Sequence, residues 1–142
     1  MEDLLDLGKQ VLKSQPFSGL IGAELVSFSQ GYAELKIPIR PDLKQQHGFV
    51  HGGVISYAVD NALTFAGGSV LGTSVTTSEY KINYLRPAIG DFLVARATVI
   101  HTGKNQAVCR CDMFVSKDGK ESLCATAQGT ITMLGQSSDA RV

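Results

Sequence analysis

The stretch VISYAVDNALTFAGGSV, residues 54–70, constrains this chain more than any other feature, because as a helix it is apolar on nearly every side and yet carries an acid, Asp60. Val54, Ala58, Ala62 and Ala66 keep one stripe small at every fourth position, which suits close packing against another element. A helix of this composition has to be wrapped on most of its surface. The rest of the chain reads as strands. AELVSFSQGYAELKIPI gives two around a turn at Gln30-Gly31, the second alternating through Ala33, Leu35, Ile37 and Ile39. Four more follow the helix, over 74–85, 92–101, 106–117 and 121–134, joined by turns rich in Gly, Asn and Asp.

One enclosed helix with two strands before it and four after it predicts an α+β fold, an antiparallel sheet curled around a central helix. No repeat or linker interrupts residues 1–142, which read as one domain opening with an amphipathic helix over 1–18 and closing in a polar tail at 135–142, expected to fray. A single sheet covers only one side of the helix. A second copy is therefore expected against the other side, in a homodimer or a homotetramer built as a dimer of dimers.

Thirteen Lys and Arg balance thirteen Asp and Glu without forming blocks, so no basic stripe points to nucleic acid. The start, MEDLLDLGKQVLKSQ, carries acids at once and spaces its apolar residues as a helix does. It resembles neither a secretory leader nor a membrane span, and a cytoplasmic protein with no membrane partner is expected. Three cysteines are an odd number for a disulfide framework. Cys109 and Cys111 lie two apart in one predicted strand and Cys124 in the next, as small core hydrophobes in a reducing compartment would. The three histidines are not grouped to complete a zinc site, so neither metal nor cofactor is expected.

Asp60 needs a reason to be in the helix, because burying an unpaired charge costs several kcal/mol on an order-of-magnitude scale. It lies seven residues after Gly53, on nearly the same face and about 10 Å along the axis, with Ser56 at i−4 between them. His51-Gly52-Gly53 opens the helix. A start with two positions lacking side chains leaves backbone N–H groups open to a ligand at the positive end of the helix dipole. Donors of that kind form oxyanion holes. The alternatives are structural: Gly52-Gly53 also suits a tight turn, Asp60 a structural carboxylate and His51 a cap.

The string HGGVISYAVDNALTFA resembles the signature of the hotdog-fold thioesterases, particularly the phenylacetate-pathway type, with HGG opening the central helix and an acid nine residues after the His. The likeness extends to Gly48, to KINYLRPA with the turn Gly90-Asp91, and to the TGK hairpin at 102–104. It implies hydrolysis of an acyl-CoA, aryl or aliphatic, at a site shared by facing subunits. Asp60 would act as general base or nucleophile, and the Gly52 N–H would polarise the thioester carbonyl. Gln45, six before the His, would orient water or the His, and Thr77 would assist the water. Gln45 with His51 resembles the hydroxybenzoyl-CoA branch, whereas Asp60 resembles the phenylacetyl branch.

Gly53, Asn61 and Phe49 are expected to contact substrate, with Tyr57, Leu63 and Phe65 available to the acyl group and His47 reading as a surface loop residue. Arg86 and Lys104 are the expected cations for the CoA phosphates. Two other readings compete. A hotdog hydratase or dehydratase would place a His where base chemistry is needed, and a non-catalytic acyl-CoA-binding module would not need Asp60.

Overall fold

The computed structural model describes residues 3–135; the expected tail lies, from residue 136 on, outside the described residues. Two short helices, α1 (Leu4–Lys13) and α2 (Pro16–Ile21), lead into the hairpin β1 (Glu24–Ser29) and β2 (Tyr32–Pro38). A 3-10 turn, Pro41–Leu43, precedes the long helix α3 (Gly52–Leu71), which is followed by β3 (Val75–Tyr84), β4 (Phe92–Thr102), β5 (Gln106–Lys117) and β6 (Lys120–Met133). The six strands form one sheet in the order β1-β2-β4-β5-β6-β3, and all pairings are antiparallel.

The expected single helix over 1–18 is corrected to two. Pro16 has no N–H to continue a helix and takes the first position of α2, while Gln15 before it is extended at φ −93° and ψ 107°. Gly22, at φ 88°, ends α2 in the left-handed conformation, and Gly19 lies within the helix.

The sheet wraps α3 as its composition requires. Ala58, Val59, Ala62, Leu63 and Ala66 are buried against β2, β4, β5 and β6, whose inward residues include Leu35, Leu93, Cys109, Met113 and Ile131. All three cysteines are buried, and burial pushes the thiols of Cys109 and Cys124 up to about 11 and that of Cys111 higher still. Gly67 sets the helix depth: a Cβ there would stand 2.6 Å from Cβ of Ile131 on β6. This is the hotdog arrangement, a sheet rolled around one helix. Of the described helices, none is long and apolar enough to cross a membrane.

Wrapping is one-sided. Gly53, Ser56, Tyr57, Asp60, Thr64 and Gly68 run along the opposite face of α3 and remain half-buried or exposed. β3, at the sheet margin beside that face, is paired along only one side among the described residues and is largely exposed.

Candidate active site

The carboxylate of Asp60 is held by β3. Thr77 Oγ1 donates to Asp60 Oδ1 at 2.5 Å, and Thr64 Oγ1 lies 3.0 Å from the same threonine hydroxyl while donating to the Asp60 carbonyl at 2.7 Å. One helical turn earlier, the Ser56 hydroxyl is bonded to the hydroxyl of Tyr80. Thr77 and Tyr80 are three apart and would face opposite sides of a regular strand. A bulge between Thr77 and Glu79 inserts Ser78, shifts the alternation by one and turns both hydroxyls toward α3. Gly129, the β6 partner of Tyr80, permits the close approach; a Cβ on it would lie 2.6 Å from the Glu79 carbonyl oxygen.

Asp60 opens into a cavity of about 230 Å³ that Tyr57 and Thr77 also line, so it is not sealed in the core. Asn61 borders the same cavity but is more buried. Its Nδ2 reaches Gln15 Oε1 at 3.0 Å, the Tyr57 hydroxyl at 3.0 Å and Ser18 Oγ at 3.3 Å, and Ser18 in turn donates to Gln15 at 2.6 Å. The Asn61 amide, expected to contact substrate, joins α3 to Gln15 and to Ser18 of α2, while the residue still lines the cavity. An unpaired amide 9% exposed would be costly, and the network satisfies it.

The start of α3 forms a second centre. His51 caps the helix, its Nδ1 accepting from the Gly53 N–H at 2.8 Å. This corrects the expectation of two open donors, since the Gly53 N–H is already committed. Among the described residues no acceptor is given to the Gly52 N–H, and the Tyr84 hydroxyl donates to the Gly52 carbonyl at 3.2 Å, tying the helix start to the end of β3. Gly52, Gly53, Phe49 and Arg86 line one cavity of about 560 Å³.

Gln45 does not reach either centre within the chain. Its Oε1 accepts from the His47 backbone N–H and its own N–H donates to the Phe49 carbonyl at 2.9 Å, so it shapes the loop that presents Phe49. His47, exposed, stacks on Phe49 at 6.1 Å. Leu63 is pure core and Phe65 packs edge-on to Phe28. Arg86 and Lys104 are separated within the chain: the Arg86 N–H donates to the Cys124 carbonyl, whereas the hairpin carrying Lys104 bonds Met133 through Asn105. Eight residues of β6 lie between those anchors, roughly 30 Å of strand, so the two cations of one chain are too far apart to share one group of phosphates.

Sequence reasoning missed Tyr80, Gln15 and Ser18, and named Tyr57 only as a contact for the acyl group. A polar residue at the inward positions of an edge strand was the available signal for Tyr80, but the bulge that aims it has no mark in the residue order. The residues meeting Asn61 come from separate helices and left none.

Within this geometry the comparisons with known proteins carry weight. The model of the thioesterase superfamily matches residues 47–122, more than half of the chain and the span that holds α3, β3 and the Arg86 loop. Acyl-coenzyme A thioesterase PaaI of Escherichia coli is 32% identical over 89 residues, 62% of this chain and 63% of that protein. Medium/long-chain acyl-CoA thioesterase YigI of the same organism is 25% identical over 127 residues, covering 75% of this chain and 80% of its own length. The crystal structure of a thioesterase family protein from Silicibacter pomeroyi superposes with a TM-score of 0.86 at 31% identity, over 94% of this chain and all of that one. With its wrapped helix, its carboxylate facing a cavity and its sequence match through both centres, the chain belongs to the thioesterase superfamily.

Proposed function

We propose that this thioester hydrolase acts on acyl-CoA, with Asp60 as general base and the Gly52 N–H as the donor to the carbonyl oxygen. The observation that carries the reading is the carboxylate itself: an acid on an otherwise apolar helix, oriented by Thr77 and open to a cavity. Water attacks the thioester carbon as Asp60 takes its proton. The Gly52 N–H, at the positive end of α3, meets the negative charge that develops on oxygen. The C–S bond then breaks, and the thiolate of CoA recovers a proton.

One chain cannot do this alone. Gly52 and Asp60 are eight residues apart on one helix, about 12 Å along the axis, whereas the oxygen and the attacked carbon of one thioester are neighbours. A second copy with its α3 antiparallel to the first sets Gly52 of each chain against Asp60 of the other. The half-bare face of α3 and the unpaired margin of β3 lie where that copy would join. The functional unit is therefore a homodimer or a dimer of dimers, with Arg86 at the mouth as the candidate cation for CoA.

The test is Asp60→Asn, assayed with a thiol reagent for CoA release from acyl-CoAs ranging from butyryl to phenylacetyl and hydroxybenzoyl. General-base catalysis contributes roughly 10²–10⁴-fold, and turnover should fall by that amount while the oligomer and its melting temperature persist. Turnover near the wild-type rate in the folded variant would remove Asp60 from the mechanism.

A further inference from the structure

The 230 Å³ cavity at Asp60 does not end there. It shares Gln15, Asn61, Thr64 and Val75 with a second, larger cleft of about 410 Å³, which runs between α1 and the C-terminal half of α3. Leu4, Leu7 and Val11 of α1 form one wall and Phe65 and Gly68 of α3 the other. Among the described residues, no charged side chain lines this cleft. Nothing in the hydrolytic steps above calls for it.

We propose that this cleft receives the acyl chain of the substrate, and that the chain is a medium-length or longer aliphatic one; the inference rests on the acyl-CoA reading and deepens it. The arrangement has a direction. At the junction Gln15 and Asn61 satisfy each other, and Thr64 is bonded to the Asp60 carbonyl and Thr77, so the neck is polar without demanding water. Beyond it the wall is hydrocarbon. A thioester with its carbonyl at Asp60 can pass its tail through the neck, whereas the phosphates of CoA find no counter-charge there.

The size of the cleft sets the class. An apolar cavity of about 150 Å³ is enough for benzene, so this one exceeds the need of a phenyl ring and suits a flexible chain. Two adjacent glycines show that the space is not forced by packing. A Cβ on Gly67 would clash with Ile131 at 2.6 Å, but a Cβ on Gly68 would meet only Val75 Cγ2, at an ordinary 3.5 Å. Gly68 leaves room that a side chain would take.

The experiment narrows that room from the α1 wall, away from the α3 face where the second copy would join, with Leu7→Phe and Val11→Phe, and compares decanoyl-CoA with butyryl-CoA. Each pair of methylenes shut out should lower kcat/KM about tenfold, so the decanoyl value should fall at least tenfold while the butyryl value stays within about twofold. Binding of free decanoate, followed by calorimetry, should weaken in parallel. Val11→Phe keeps the test open should Leu7→Phe not fold. An unchanged chain-length ratio and unchanged decanoate binding in the folded variants would overturn the proposal. Should the wild-type protein release CoA from neither thioester, the acyl-CoA reading fails; decanoate binding lost in the variants would then still support the cleft as an aliphatic site, and binding indifferent to both would overturn that too.

Discussion

The start of α3 and its middle use the same helix in opposite ways. In the proposed reaction the chemistry at the start is carried by backbone: Gly52 and Gly53 remove side chains, His51 consumes one N–H, and a single donor is left at the dipole's positive end. In the middle it is carried by side chains: Asp60 supplies charge, and a neighbouring strand supplies the hydroxyl that orients it. A backbone donor needs only a helix terminus and an absent Cβ, so local sequence creates it. An oriented carboxylate needs a partner from elsewhere in the fold. The two centres are about 12 Å apart along the axis, and it is that separation on which the proposal of a shared, dimeric site rests.

The sharpest way to break this comparison is to delete the backbone donor alone. Gly52→Pro does so with little structural insult, because proline is favoured at the first helical position and His51, at φ −61° and ψ 136°, already has the conformation a residue before proline needs. Loss of one oxyanion donor costs about 10²–10³ in turnover, and kcat for acyl-CoA hydrolysis should fall by that much with the melting temperature nearly unchanged. An active Gly52→Pro protein would take the helix start out of the reaction.

Mixing the variants then tests whether the centres act across subunits. Unfolded together and refolded, Gly52→Pro and Asp60→Asn chains should form mixed dimers in which one of the two sites is intact, restoring about a quarter of wild-type activity on statistical grounds. No recovery in verified mixed dimers would place both groups in one chain's site. The smallest effect concerns the orienting hydroxyl. Thr77→Val keeps the shape and removes the hydrogen bond to Asp60, a loss on the order of 1–3 kcal/mol, so kcat should drop about 5- to 100-fold, less than for Asp60→Asn, with KM little altered. A kcat within twofold of wild type would reduce Thr77 to a structural neighbour.

The hydrophobic pattern carried most of the fold. Four predicted strands after the helix coincide with β3 to β6 within a few residues, because alternation and turn composition are local properties of strands that line one core. Boundaries governed by backbone stereochemistry were less legible, as the division of the N-terminal helix at Gln15-Pro16 shows. At the site, the family resemblance pointed to Thr77 as an aid to the water, and the fold sets its hydroxyl on Asp60 Oδ1. The internal use of Asn61 and Gly53 did not follow, since either residue offers the same donors whether a ligand or a neighbour accepts them.

The sequence by itself determined that a helix apolar on most sides would be enclosed by strands and that it would carry a single acid, since burial and charge are properties of residues in order. Only the tertiary structure decided what the acid meets. A one-residue bulge aims Thr77 and Tyr80 at α3, a cap consumes the Gly53 N–H, and the packing of α1 leaves a cleft beside Asp60. Each depends on where separate segments come to rest, which no local pattern encodes.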